Sequence, residues 1–218
     1  MTRKNAHQQT NAIGRGSPQT RTMLMDAALR VLDRKSFFAA SVDDFVQEAG
    51  FARGTFYIYF KDRYDVLEAL TRRLNEDLFE QSHTALDRSQ SAFERLRLSL
   101  RRVIAAWQAH GALFRAGVQV AMMRPEFLAV NQELRLPFIR QIQRDIERSV
   151  AHGHARPIDP AVAAKALAAM MDWLCMLWFG LNEPPCPDAD EDVERVADQL
   201  ALLWYRAIYG DDPPEVDC

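Results

Sequence analysis

Apolar residues recur along this chain at three- and four-residue steps and almost nowhere in strict alternation, a pattern that predicts helices and no strand. From Pro18, the series Leu24, Ala27, Ala28, Val31 and Leu32 forms one apolar face, and Phe37 and Phe38 close the segment. Ser41, followed three residues on by Asp44, predicts a capping box that opens a second helix with Val42, Phe45, Val46 and Ala49 as its buried side. Gly50 stands where the chain leaves that helix through a left-handed residue. Arg53 or Gly54 opens a third short helix reaching about Phe60. Asp62 is placed to cap a longer helix containing Val66, Leu67, Leu70 and Leu74.

Beyond residue 90 the pattern stays helical. One helix is expected from Ser91 to His110, interrupted at Gly111 and resumed to about Arg124. Another covers residues 126–152, where Pro137 should impose a kink or a break, because proline lacks the helical N–H. Ala161 to Leu181 is nearly all apolar, and Asp190 to Tyr209 is amphipathic. Asp188, Asp190, Glu191 and Asp192 gather where that last helix begins, as the helix dipole favours. The fold class expected is all-α, with about nine helices. Residues 1–17 are polar and aperiodic and read as a flexible arm. Residues 18–61 then form one domain, 62–210 a second and 211–218 a tail.

Composition narrows the functional classes. With 48% hydrophobic and 26% charged residues, the chain is globular. No apolar run approaches the roughly 18 residues a bilayer span requires, and the start lacks an apolar signal core, so the expectation is a cytoplasmic protein with no membrane partner. Cys175, Cys186 and Cys218 are odd in number and share no CxxC spacing, which fits a reducing compartment and no zinc module. His110 and the His152-x-His154 pair have no carboxylate or cysteine at ligand spacing. No glycine-rich phosphate loop, nucleophile elbow or paired-carboxylate motif is present, so no metal, no cofactor and no catalysis are expected. The net charge of −3 hides an asymmetry: residues 1–63 hold 10 Lys+Arg against 6 Asp+Glu, and the rest of the chain is acidic. An anionic partner for one end alone is the consequence.

The short helices before residue 61, the last two joined by a tight turn at Gly50-Phe51-Ala52, have a helix-turn-helix layout. Such a unit places its second paired helix in the DNA major groove, so that helix needs a narrow, strongly apolar inner side. Phe56 and Phe60, four apart, supply it. Arg53 can bond a guanine edge or a phosphate, Gly54 permits close approach, and Thr55 can meet a phosphate or a thymine methyl. Tyr57 and Tyr59 can donate to phosphates, with plain packing as the other reading. Lys61 and Arg63 flank the start of the next helix, where backbone amides also attract phosphate. Ser41, at the start of the second helix, completes the set of candidate DNA contacts.

The segment SVDDFVQEAGFARGTFYIYFKDRYDVLEAL, with its G-T-x-Y-x-x-F core and the basic residue after it, resembles the DNA-binding module of TetR-family transcriptional regulators over about residues 20–72. The resemblance implies DNA contacts from Arg53, Thr55, Tyr57 and Tyr59, with Gly54 at the groove. It also implies a phosphate contact from position 63, where this sequence has arginine in place of the common lysine. Asp43, acidic where some relatives are basic, argues against base reading by the second helix.

Large, soft side chains gather after residue 75. Core packing accounts for most of them, yet methionines and aromatics are also the usual lining of small-molecule cavities. The resemblance implies a cavity in this region. Trp107, Phe114, Met122, Trp173 and Trp178 are the candidates to line it, and a small hydrophobic effector is the expected ligand. The last two helices carry more apolar surface than one partner could cover, which together with the resemblance implies a homodimer presenting two reading helices to a palindromic double-stranded operator. The function expected is a repressor released by its effector. An activator, a helix-turn-helix used for protein interaction, and, more remotely, an enzyme are the alternatives.

Overall fold

The computed structural model describes residues 17–84, 90–183 and 190–210. Most of the expected arm, the tail, Asp188, Cys186 and Cys218 lie outside the described residues. Among the described residues eight α-helices follow one another: α1 Pro18–Leu32, α2 Val42–Ala49, α3 Arg53–Tyr59, α4 Arg63–Thr84, α5 Ala92–Met123, α6 Pro125–Ala151, α7 Pro160–Cys175 and α8 Asp190–Tyr209. A single π-helical turn, Met176–Gly180, continues α7. No strand occurs among the described residues, as the hydrophobic spacing requires.

Two compact units share these helices. The first takes the described residues up to Arg73 together with Ala112–Leu128, and the second takes Leu74–Gly111 and the described residues from Ala129 onward.

In the first unit, local sequence signals set each boundary. Ser17 caps α1, its side chain accepting from the Thr20 amide, and Pro18 begins the helix where its missing N–H costs nothing. Ser41 and Asp44 form the expected capping box: the Asp44 amide donates to Ser41 Oγ at 3.2 Å, and the Ser41 amide donates to Asp44 Oδ2 at 2.9 Å. Gly50 ends α2 with φ 72° and ψ 26°, a left-handed geometry that costs a side-chain-bearing residue about 1–2 kcal/mol. Asp62 caps α4 by accepting from the amides of Tyr64 and Asp65 at 2.8 and 3.0 Å. Leu24, Ala27, Ala28, Phe45, Phe56 and Leu67 are each fully buried, so α1 to α4 enclose one apolar centre. Three ion pairs fasten α1 and the turn after it to α2, Arg30–Glu48 at 2.8 Å, Arg34–Glu48 at 2.5 Å and Lys35–Asp44 at 2.5 Å.

In the second unit, Ile146, Ala164 and Ile208 meet where α6, α7 and α8 pack together, with Ile142, Val150 and Leu167 around them. Arg97 and Arg101 tie α5 to α8 through Asp198 and Glu194 at 3.2 and 2.7 Å. Gly111 permits a close approach of two backbone segments within the unit. A methyl group there would lie 2.2 Å from the Phe179 carbonyl oxygen in the π turn, so no larger residue fits without displacing backbone.

Four expectations change in detail. The interruption placed at Gly111 occurs one residue earlier, at His110 (φ −131°, ψ 25°), and α5 continues across it as one kinked helix. This difference alone separates eight helices from about nine. Of the kink or break expected at Pro137, the break does not occur: α6 runs on to Ala151, with the proline removing one helical hydrogen bond. The helix expected from Ala161 to Leu181 ends at Cys175, and the π turn takes over. Finally, Pro160–Gly180 is long and apolar enough to cross a membrane by length and composition, contrary to the expectation that no segment qualifies. Lys165 and Asp172 interrupt its apolar run, which hides it from a search for an unbroken stretch.

Candidate nucleic-acid interface

The geometry of α3 follows from two buried rings. Phe56 and Phe60 are 0% and 2% exposed, their centroids 5.4 Å apart, and Phe45 of α2 lies 6.4 Å from Phe56. These contacts pin one narrow side of a seven-residue helix. The opposite side is left to solvent: Arg53 and Gly54 are exposed, and Tyr57 and Ile58 are 49% and 53% exposed. Thr55 and Tyr59 are half-buried at the edges of that surface. The exposed Ile58 is a residue the sequence reading left without a role.

Arg53 is held from two directions. Its Nη1 donates to both carboxylate oxygens of Asp43, at 3.1 and 2.8 Å, and its Nη2 donates to the Tyr57 hydroxyl at 3.2 Å. The guanidinium carbon also lies 5.8 Å from the centre of the Tyr57 ring. The Tyr57 phenol and the Asp43 charge both raise the pKa of a group already cationic at any working pH. Asp43, which sequence reasoning set aside, is thus part of the site. Its ten-residue separation from Arg53 gives no sequence signal of the pairing.

Other candidates are less free. Ser41 Oγ donates its one proton to Asp44 Oδ2 at 2.8 Å while accepting from the Asp44 amide, so its hydroxyl serves the helix cap. Arg63, expected at a phosphate, is directed at the backbone of the turn before α2. Its Nη1 lies 3.0 Å from the Ala40 carbonyl oxygen, 3.2 Å from that of Phe38 and 3.5 Å from that of Phe37, and its guanidinium packs on the rings of Phe37 and Tyr64. Lys61 is exposed, and its amide donates to Asp65 Oδ2 at 2.9 Å. Arg21 of α1 packs its guanidinium over Phe60, 5.1 Å from the ring centre.

The candidate effector residues fall in both units. Phe114 and Met122 belong to the first, half-buried and 85% exposed respectively. In the second, Trp107 is buried, Trp178 half-buried and Trp173 60% exposed. Among the described residues, no group of histidine, cysteine and acidic side chains could hold a metal ion. Cys175 is buried, and that burial pushes its thiol well above the usual range, away from the reactive thiolate.

A three-helix head with one buried and one polar-aromatic side on its third helix, followed by a larger all-helical region, defines a helix-turn-helix regulator. Comparison with known proteins agrees at both ends: residues 24–70 match the family described as "Bacterial regulatory proteins, tetR family", and residues 96–210 match "Transcriptional regulator EthR, C-terminal domain". The chain belongs to the TetR family of transcriptional regulators, a family of regulators and not of enzymes. It is 26% identical over 195 residues to the HTH-type transcriptional regulator EthR of Mycolicibacterium smegmatis, covering 87% of this chain and 86% of that one. The EthR of Mycobacterium tuberculosis is likewise 26% identical, over 192 residues and 87% of each chain. Among solved structures, the fatty acid degradation regulator FadR of Bacillus halodurans has the same fold, with a TM-score of 0.71 at 16% identity, covering 86% of this chain and 95% of that one. FadR of Bacillus subtilis, solved in complex with stearoyl-CoA, also gives a TM-score of 0.71, at 17% identity over 86% and 98% of the chains.

Proposed function

We propose that this regulator is a repressor that binds a palindromic operator as a homodimer and leaves it when a small hydrophobic effector binds. The carrying observation is the division of α3: Phe56 and Phe60 are consumed by the core, while Arg53, Gly54, Tyr57 and Ile58 face outward on a helix with the layout of a major-groove reader. Gly54 supports the same reading. A methyl group there would meet nothing within 4 Å, so the fold does not require glycine, and an external surface approaching closely would. In this reading residues 18–61 are the DNA-binding domain and residues 62–210 bind the effector and the second copy, with residues 1–17 as an arm and 211–218 as a tail. Arg53, Gly54, Thr55, Tyr57, Tyr59 and Lys61 meet DNA, while Ser41 and Arg63 support them from behind.

Dimerisation through α7 and α8 is favoured by an exposed stripe on α7. Val162, Ala166, Ala169, Met170 and Trp173 lie within about a quarter-turn of one another at 100° per residue, and all are exposed. Leu203 of α8 is 56% exposed as well. Water contact over such a stripe is unfavourable, and a second copy of the chain would remove it. Trp173 then belongs to the dimer surface rather than to the effector, and Trp107 and Trp178 become the better effector contacts. A hydrophobic effector accords with the stearoyl-CoA complex of a protein of the same fold. Release follows if the effector favours a conformation in which α4, which runs from Arg63 to Thr84, carries the two reading helices out of register with successive grooves.

Replacing both Tyr57 and Tyr59 by phenylalanine tests the reading. Loss of operator affinity at an unchanged salt slope is expected, because the lost hydroxyls are neutral donors to phosphate and release no counterions; undiminished affinity would remove both from the interface.

A further inference from the structure

We propose that Asp43 is a positioning residue for sequence specificity: it fixes the Arg53 guanidinium so that Arg53 reads a guanine in each half-site instead of clamping a phosphate. The inference rests on the DNA-binding reading above and adds to it a named base and the residue that enforces it.

The pair does not serve the fold. Both side chains stand in solvent, Arg53 58% and Asp43 64% exposed, and exposed ion pairs contribute little to stability. Nor does the arrangement suit a phosphate clamp. Phosphate contacts draw on uncompensated positive charge, and a carboxylate 2.8 Å from Nη1 cancels much of it and repels the anion.

What the arrangement does suit is a fixed fork. Arginine has five N–H donors in one plane. Those on Nη1 face Asp43, and one on Nη2 faces Tyr57. The Nε–H and one Nη2–H have no partner among the described residues, which leaves two donors in the guanidinium plane for a ligand. Guanine offers the matching pair of acceptors, O6 and N7, in the major groove, and no other base edge presents two acceptors there. Asp43 on α2 and Tyr57 one turn along α3 hold that fork before DNA arrives, so its ordering is not charged against binding.

The test uses the full-length chain and bound duplexes selected from a random pool, for the parent, D43A and R53K. The parent is expected to enrich an inverted repeat with guanine at one position of each half-site. R53K, which keeps the charge and loses the fork, should flatten that position. D43A should flatten the same position, lowering the affinity ratio of guanine over other bases by about tenfold in direct titration. Its affinity for random duplex should hold or rise, because one negative charge is gone. The double variant should lose no more than R53K alone. A D43A protein that keeps the parent's guanine preference overturns the inference and leaves the DNA-binding reading standing. So does a D43A protein whose loss falls at a base pair R53K leaves intact, since Asp43 would then read a base itself. If the parent enriches no repeat, the DNA-binding reading fails and this inference fails with it. Should D43A prove unstable, D43N decides by the same readout, because it keeps the size of the side chain and removes the carboxylate charge that holds the guanidinium; a D43N protein with the parent's guanine preference overturns the inference.

Discussion

The Arg124 guanidinium lies 4.3 Å from the centre of the Tyr64 ring, and Arg63 lies 5.3 Å from the same centre. The phenol ring therefore carries two cations, one from the end of α5 and one from the start of α4, and the second continues to the carbonyls that close the turn before α2. R63A should lower the stability of the head by about 1–2 kcal/mol in chemical denaturation, since the turn carbonyls lose a charged donor. A phosphate-contacting arginine would behave differently: stability would stay unchanged, and the salt slope of DNA binding would fall by about one.

Gly54 offers the opposite trade. Alanine fits there without a clash, so G54A should stabilise the fold by up to about 1 kcal/mol through helix propensity alone. Operator affinity should fall in the same protein, because the added methyl stands on the surface that meets DNA. Melting and operator titration on one preparation check both signs; a variant that is more stable and binds as tightly would show that close approach at Gly54 is not needed.

The acid response of the head follows from two carboxylates. The Lys35 ammonium, the Ser41 amide and the Ser41 hydroxyl hold Asp44 down to about 2, and Arg30 with Arg34 holds Glu48 below its ordinary value. Both pKa values are depressed in the folded state, so the stability they contribute is present above the unfolded range near 4 and is lost as pH falls from there through about 2. The midpoint of thermal unfolding should therefore drop across that window, and D44N should show a shallower drop. Equal slopes for parent and D44N would remove Asp44 from the account.

The α7 stripe predicts the effect of a charge. Trp173→Glu places a carboxylate in the centre of the exposed apolar surface, and sedimentation should show monomers at concentrations where the parent is dimeric. Helical content should be unchanged, because Trp173 is 60% exposed in the single chain. A variant that remains dimeric would place the interface elsewhere.

These cases also show which features sequence discloses. The Ser41–Asp44 box, the left-handed Gly50 and the Asp62 cap involve residues two or three apart or a single backbone angle, and each is legible in the letters alone. Phe56 and Phe60 are equally local, since helical spacing puts both on one face. Arg63 is different. Its partners are 23 to 26 residues away, and position beside a helix start suggests a phosphate contact as readily as a carbonyl clamp. Asp43, by its own charge, is unsuited to DNA, and its partner Arg53 stands ten residues on with no local signal of the pairing. The π turn after Cys175 has no composition signal, and Gly111 reveals its purpose only beside the Phe179 carbonyl.

The central claim is that α3 reads DNA as one of a symmetric pair. Selection of bound duplexes from a random pool by the full-length chain tests it most directly. An inverted repeat whose half-site centres lie about one helical turn apart, or a multiple of it, should be enriched, with affinity falling steeply as salt rises. A pool that stays random, or binding that is indifferent to salt, would contradict it.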